Sequence, residues 1–114
     1  MLTVSDFRRL ALKLEGALEG AHMGHPDFRA NGRIFASIYP DGRRAMVKLT
    51  PDLQQQYLQA HPGMFEPASG AWGRQGCTTV HLAVAQAEII TAAIGHAWRG
   101  TIRKKKTVRR AGST

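Results

Sequence analysis

The chain has 114 residues, of which 43% are hydrophobic and 21% charged, proportions that fit one globular domain. Its net charge of +8 is concentrated at one end, because seven of the 16 cations and none of the eight acids lie in residues 99–114. No apolar run is long enough to span a membrane, charges scattered through the N-terminal segment exclude a signal peptide, and a lone Cys77 excludes an internal disulfide. We therefore expect a cytoplasmic protein that does not associate with membranes.

The N-terminal segment predicts an amphipathic helix over residues 4–19. Apolar side chains recur at three- and four-residue steps from Val4 to Leu18 and would form one stripe. Thr3 and Asp6 have the spacing of a capping box, so the helix is expected to begin directly after Thr3.

The following segment predicts a loop and then a β-hairpin. Residues 22–28 contain Gly and Pro and are expected to form the loop, the Asn-Gly pair at 31–32 marks a first turn, and the Asp-Gly pair at 41–42 marks the hairpin turn. A four-residue turn pairs Ile34 with Leu49, Ala36 with Val47 and Ile38 with Ala45, which gathers the apolar side chains on one face. The opposite face would then carry Phe35, Ser37, Tyr39, Arg44, Met46 and Lys48.

Three further segments complete the prediction. Thr-Pro-Asp at 50–52 is a strong helix start, and this second helix is expected to run to residue 60. Residues 64–76 are rich in Gly, Pro and Ala and predict no regular element, whereas residues 77–82 alternate like a half-buried strand. Residues 85–98 show helical spacing and form the last predicted helix.

This order of elements, helix, strands, helix, strands and helix, favours an α+β fold with an antiparallel sheet flanked by helices. One domain is expected to occupy residues 1–99. Residues 100–114 are expected to form a basic, disordered tail, because nothing apolar continues the helical rhythm there.

The sequence contains no evident catalytic constellation. His22 and His25 lie in the predicted loop rather than one turn apart on a helix, and no cysteine or acidic cluster completes a metal site around them. Cys77 is expected to be a small buried hydrophobe. An enzyme would need a concave site that brings together groups such as His81, Glu66 and Cys77. We expect no enzyme activity, no metal and no cofactor.

Nucleic-acid binding is better supported by the residues. Cations on the hairpin could contact phosphates, aromatic rings could contact bases or sugars, and the basic tail would add affinity that falls with salt. The alternative interpretation is that the rings pack under a helix, the hairpin arginines are solvated and the tail serves solubility. The candidate binding residues are Arg33, Arg43, Arg44, Lys48, Arg74, Phe35, Tyr39, Arg103, Lys104, Lys105, Lys106, Arg109 and Arg110.

Several segments, taken in order, resemble the MmcQ/YjbR-like family. Residues 25–38, HPDFRANGRIFASI, are similar to the family signature G-x-P-x-F-R-V-x-G-K-I-F-A, and the match continues through residues 46–51 and 62–68. Trp72-Gly73 and the 78–82 strand then lead into the last helix. The resemblance covers residues 5–99.

The sequence departs from the family pattern at three positions. Arg33 stands where Lys is usual, Ala30 where Val is usual, and Cys77 where an aromatic residue is common. The first change keeps the charge, so only the third bears on local packing.

The resemblance implies a CyaY-like fold in which two β-hairpins form a double-wing arrangement, and it implies DNA binding without catalytic residues. The wings would be the 33–49 hairpin and the hairpin that ends at residues 77–82. Of the matched positions, Phe28 is expected in the core, whereas Arg29 and Lys48 would meet either phosphate or a nearby carboxylate.

The leading hypothesis is a DNA-binding protein, expected to be a monomer, that contacts phosphates through the basic hairpin and tail. The alternative is a non-catalytic module that binds a protein or small ligand through the sheet face or an inter-helix cleft. An exposed apolar patch without neighbouring cations would favour that alternative.

Overall fold

Six strands and four α-helices form the described part of the chain. The computed structural model describes residues 1–109, with side chains as far as Ile102. The elements, in chain order, are α1 (Val4–Leu12), β1 (Leu18–His22), β2 (His25–Ala30), β3 (Arg33–Ile38), β4 (Arg44–Lys48), α2 (Pro51–Ala60), β5 (Phe65–Pro67), α3 (Gly70–Arg74), β6 (Cys77–His81), a short 3₁₀ turn (Leu82–Val84) and α4 (Ala87–Arg109).

The strands form one antiparallel sheet in the order β1-β2-β3-β4-β6-β5. Helices α1, α2 and α4 cover one face of this sheet, and the core lies between them. The largest fully buried side chains there include Phe7 of α1, Phe28 and Phe35 of the sheet, and Ile90 and Ile94 of α4. The predicted α+β class with an antiparallel sheet is confirmed.

Local signals fix where the first two long helices begin. Thr3 and Asp6 form the predicted capping box, in which the Thr3 backbone N–H donates to the Asp6 carboxylate at 2.9 Å and the Asp6 N–H donates back to the Thr3 hydroxyl at 3.1 Å. Thr50 accepts from the Leu53 N–H in the same way at the start of α2. The predicted end of α1 is wrong, because the helix stops at Leu12 rather than near residue 19.

Residues 18–30 form a β-hairpin where the sequence predicted the end of a helix and a loop. Met23 and Gly24 join β1 to β2, and both have a positive φ (52° and 83°). Asn31 and Gly32 join β2 to β3, and φ is positive at both of these residues as well (54° and 76°). Two-residue turns of this kind match the twist of a hairpin. The Asn-Gly turn was visible in the sequence, whereas methionine seldom adopts a positive φ.

The predicted register of the β3–β4 hairpin is confirmed. Ala36 pairs with Val47 and Ile38 with Ala45, and all four side chains are buried. The Tyr39 N–H donates to the Arg44 carbonyl at 3.0 Å, which closes the expected four-residue loop.

A β-bulge changes the face on which Phe35 lies. On β2, Phe28 pairs with Ala36 and Arg29 pairs with Ile34, so Phe35 is an extra residue without a partner in the β2–β3 ladder. The bulge turns Phe35 into the core, where it is 0% exposed, and leaves Ile34 on the opposite face. The predictions that Phe35 faces outward and that Ile34 pairs with Leu49 on the core face are therefore wrong.

The last helix is longer than the sequence indicated. Helix α4 continues past Trp98 to Arg109, so the segment predicted to be a frayed tail is helical through that residue. Thr101 is buried and its hydroxyl accepts a 3.0 Å hydrogen bond from the Asn31 amide, so the packed body extends beyond the predicted boundary at residue 99. Residues 110–114 lie outside the described residues. Among those that are described, no helix could cross a membrane.

Candidate functional site

The face of the sheet opposite α1, α2 and α4 forms a concave surface with a cavity of about 650 Å³. We call this surface the open face. Strand pairing places Asp27, Ser37, Met46 and Thr79 in one row across it, because directly paired residues share a face. The cavity is lined by His22, His25, Arg29, Gly32, Arg33, Ile34, Ser37, Tyr39, Pro40, Met46, Lys48, Ala68, Ser69, Trp72 and Cys77.

The charge lining this cavity has one sign. Arg29, Arg33 and Lys48 all line it, and none of its lining residues within the described chain is an aspartate or glutamate. Arg33 and Lys48 are exposed, and neither takes part in an ion pair among the residues with described side chains. Two cations without a carboxylate partner make this a surface that attracts anions.

Arg33 and Lys48 also line a second, smaller cavity of about 230 Å³, which lies at the edge where the sheet meets α2 and α4. Leu53, His96 and Thr101 line that second space. Burial lowers the pKa of His96, and the nearby Arg99 lowers it further. The two cations therefore lie beside the part of α4 that leads into the basic C-terminal segment.

Asp27 organises one end of the open face. Its carboxylate is fully buried and accepts two hydrogen bonds from Arg29, at 2.7 Å from Nε and 3.0 Å from Nη2, and a third from His22 Nδ1 at 2.6 Å. The hydrogen bonds from Arg29 hold the pKa of Asp27 below its usual range, although burial acts in the opposite direction. Gly20 lies opposite Asp27 on β1, and a Cβ there would come within 3.0 Å of both Arg29 and Asp27.

His25 completes this end of the cavity. Its ring centroid lies 4.7 Å from that of His22, and its Nδ1 is buried without a hydrogen-bond partner among the described residues. The described part of the chain holds no group of three or more His, Cys, Asp or Glu placed to bind a metal ion.

Tyr39 and Arg44 are both on the open face but are already engaged. The Tyr39 hydroxyl shares a 2.7 Å hydrogen bond with Thr79, and the Arg44 guanidinium lies 4.3 Å above the Tyr39 ring. Arg44 also pairs with Asp41 at 2.8 Å. Of the cations predicted on the hairpin face, Lys48 is without a carboxylate partner among the described residues and Arg44 is neutralised.

Helix α3 brings Trp72 to the rim of the cavity. Gln54 of α2 is buried, and its amide donates to the carbonyls of Gly73 and Cys77 at 3.0 Å each. These bonds connect the segment that contains α3 to α2, which lies on the core side of the sheet. Gly76 has φ of +110°, and a Cβ there would lie 2.0 Å from the Leu49 carbonyl, so only glycine fits. Trp72 itself is 64% exposed.

The groups considered for catalysis do not converge. His81 Nε2 and Glu66 form a 2.9 Å pair at one end of β6, whereas Cys77 begins the strand and pairs with Lys48. Burial raises the pKa of the Cys77 thiol, and the nearby Lys48 only partly offsets this. Cys77 therefore stays protonated near neutral pH, as expected of a buried structural cysteine.

The predicted binding residues lie in five different settings. Arg33, Lys48 and Tyr39 line the cavity, whereas Arg43 in the β3–β4 turn and Arg74 at the end of α3 are exposed outside it. Phe35 is in the core, and Arg44 lies on the open face in an ion pair. The basic residues of the C-terminal segment have no described side chains; Arg103, Lys104, Lys105, Lys106 and Arg109 lie on α4, and Arg110 is outside the described residues.

Among the lining residues that were not predicted to bind, four carry large polar or aromatic side chains: His22, His25, Arg29 and Trp72. Three of them belong to the β1–β2 hairpin, where the spacing of residues 20, 22, 25, 27 and 29 would have put them on one face had the Met-Gly turn been recognised. Arg29 was expected to meet either phosphate or a carboxylate, and it pairs with Asp27.

These observations define a class of protein: an α+β domain whose antiparallel sheet is covered by helices on one face and presents a cationic cavity on the other. Comparison with family models identifies the family within this class. The YjbR family model matches residues 12–100, most of the length, and the chain belongs to the YjbR family.

A solved structure supports the fold independently. The crystal structure of Deinococcus radiodurans protein DR2400, described as a DUF419 domain, superposes with a TM-score of 0.70 over 100% of this chain and 83% of that one. The two sequences are 24% identical, so the likeness concerns the fold alone. Comparison with curated proteins gave no significant match.

Proposed function

We propose that this protein binds DNA, mainly through phosphate contacts made by the open face and by the basic C-terminal segment. The observation that carries the proposal is the cavity lined by Arg33 and Lys48, two exposed cations without a carboxylate partner among the residues with described side chains. Phosphate contacts from arginine and lysine supply most of the affinity of sequence-independent DNA binding. The segment after Thr101 adds further cations from a helix that is anchored to the sheet through Asn31.

The exposed ring of Trp72 favours DNA as the ligand. The alternative is that the protein is a module that binds another protein or a small ligand. An apolar patch without cations would have supported the alternative, but Trp72 lines the same cavity as Arg33 and Lys48. An exposed ring beside positive charge suits a polyanion that carries flat bases.

The proposed role is non-catalytic. The raised pKa of Cys77 and its distance along β6 from the His81–Glu66 pair both argue against a nucleophile–base arrangement. A cytoplasmic location is part of the same proposal, and the single cysteine in the sequence suits a reducing compartment.

A salt titration of the full-length protein tests the proposal. Labelled DNA, offered both as duplex and as separated strands, is titrated by fluorescence anisotropy at several salt concentrations. The double variant Arg33→Gln/Lys48→Gln is expected to bind more weakly and to reduce the slope of log K against log salt by about two, one for each lost phosphate contact.

The matched control is Arg9→Gln/Lys13→Gln, which removes the same two residue types from exposed positions in the last turn of α1 and at its C-cap, on the other face of the sheet. This control is expected to stay close to wild type. Failure of the wild-type chain to bind either form of DNA at low salt would contradict the proposed function. Equal losses in the two double variants would contradict its assignment to the open face.

A further inference from the structure

We infer that the open face binds single-stranded DNA in preference to duplex, with one base stacked on Trp72 and the adjoining phosphates on Arg33 and Lys48. This inference rests on the proposed function and specifies its ligand. Nothing in the family model or in the description of the solved structure assigns a ligand to this face.

The first argument is that the hairpins are not free to enter a groove of duplex DNA. Strand β4 pairs with β3 on one side and with β6 on the other, so the two hairpins expected to act as separate wings are parts of one continuous sheet. The β3–β4 turn also presents Asp41, whose carboxylate bonds to Arg44 and to two backbone N–H groups. This ion pair leaves Arg43 as the one cation of the turn outside an ion pair among the residues with described side chains, so the turn offers little charge for phosphates.

The second argument is the shape of the charged surface. The cations line a concave space of about 650 Å³ and are not arranged on a projecting ridge. A rigid duplex is convex and presents its phosphates at fixed separations, whereas a single strand can bend into such a space. Antiparallel sheet faces with exposed aromatic residues bind single strands in this manner in other folds, where bases stack and phosphates follow a positive groove.

The third argument is that the backbone carrying Trp72 is held in place while its ring stays exposed. The bonds from Gln54 to the carbonyls of Gly73 and Cys77 fix the backbone on the C-terminal side of Trp72. A base that stacks on the ring then has to order only the two side-chain torsions of Trp72 and no loop backbone. Lys48 and Cys77 pair directly where β4 meets β6 and line the cavity with Trp72, so a cation and an aromatic ring share one end of it.

The other end of the cavity carries oriented hydrogen-bonding groups. Asp27 accepts from Nε and Nη2 of Arg29 and from Nδ1 of His22, and the side chains of both donors are 44% exposed. The buried carboxylate therefore fixes the planes of the guanidinium and the imidazole while their remaining edges face the cavity. Such fixed edges suit the exocyclic groups of an unpaired base, whose hydrogen-bonding edge is hidden in a duplex.

The test compares binding of an oligothymidylate of ~10 nucleotides, a length typical for sites on single strands, with binding of the corresponding dA·dT duplex and of thymidine monophosphate. We expect the wild-type protein to bind the single strand about tenfold or more tightly than the duplex at the same salt. Trp72→Ala is expected to weaken single-strand binding by about tenfold to a hundredfold and to leave duplex binding unchanged, whereas Trp72→Phe keeps most of the affinity.

Val84→Ala is the control, because Val84 is also an exposed apolar side chain but lies outside the cavity. Salt-dependent binding in which duplex is held as tightly as the single strand, or in which Trp72→Ala has no effect, would overturn this inference and leave the proposed function standing. Thymidine monophosphate that competes as well as the oligomer, mole for mole, would also overturn it. Absence of binding to both DNA forms would instead remove the proposed function itself.

Discussion

Asp27 is the residue on which the local geometry of the open face depends. It is buried within β2 and yet charged, because Arg29 and His22 donate to both of its oxygens. A buried carboxylate is tolerated only when it is paired and hydrogen-bonded. A nearby carboxylate was one of the two partners expected for Arg29, whereas His22 could not be identified as a partner of Asp27, since it lies on a strand that the sequence predicted to be part of a loop.

Asp27→Asn is expected to lower the free energy of unfolding by about 1–2 kcal/mol, a value that allows for partial replacement of the lost bonds by water at the half-exposed Arg29 and His22. The lowered pKa of Asp27 gives this contribution a pH dependence. It is fully present above the unfolded pKa of about 3.9 and is lost as the pH falls through the lower folded value.

Urea unfolding at neutral pH and at pH values below about 4 checks this expectation. The difference between wild type and Asp27→Asn should shrink as the pH falls. Asp52→Asn, at an exposed position in the first turn of α2, is the control and should show a smaller difference. A difference between wild type and Asp27→Asn that stays constant into acid would contradict the charged pairing.

At the scale of the elements, features that depend on neighbouring residues in the sequence were predictable, and features that depend on long-range contacts were not. The capping box of α1, the Thr50 cap of α2 and the β3–β4 register follow from nearby residues, and all three are present. The bulge at Phe35 depends on pairing with β2, so alternation within β3 alone could not reveal it. The packing of Trp72 likewise depends on a contact from α2 to a segment with no regular pattern.

Gln54→Leu tests that contact between α2 and the segment around α3. The substitution keeps most of the volume but removes the donor that the carbonyls of Gly73 and Cys77 share. Each carbonyl keeps one backbone hydrogen bond, from the Gly76 N–H at 3.1 Å and the Ala68 N–H at 2.9 Å. We therefore expect a loss of about 1–2 kcal/mol in the free energy of unfolding, measured by urea denaturation. Gln55→Leu, one residue along and exposed, is the control. Equal midpoints for the two variants would show that Gln54 does not hold α3.

At the scale of the whole molecule, the positive charge is divided between the open face and the C-terminal end of α4. The sequence assigned the second group to a disordered tail rather than to α4, and it identified part of the first, since Arg33 and Lys48 were predicted and do share one surface. The concavity of that surface could not be predicted, because it results from the sheet and α3 together. The Asn31–Thr101 hydrogen bond places the start of the basic segment beside the β2–β3 turn, next to Arg33.

This arrangement predicts that the two groups of cations act additively and with different selectivity. The triple variant Lys104→Gln/Lys105→Gln/Lys106→Gln should weaken binding to single-stranded and duplex DNA by similar factors, because a basic segment contacts phosphates whatever the form of the DNA. The slope of log K against log salt for a single strand should fall by about two, at roughly 0.7 for each lost phosphate contact. The ratio of single-strand to duplex affinity should stay at its wild-type value.

Combining the triple variant with Trp72→Ala separates the contributions of the basic segment and the open face. If they are independent, the losses in binding free energy add, as expected for changes at sites that share no partners. The measurement is the salt-dependent anisotropy titration used for the open face, with Arg9→Gln/Lys13→Gln again as the control for charge. Complete loss of binding in the triple variant alone would mean that the basic segment supplies all of the affinity, and that the cavity with Arg33 and Lys48 contributes none.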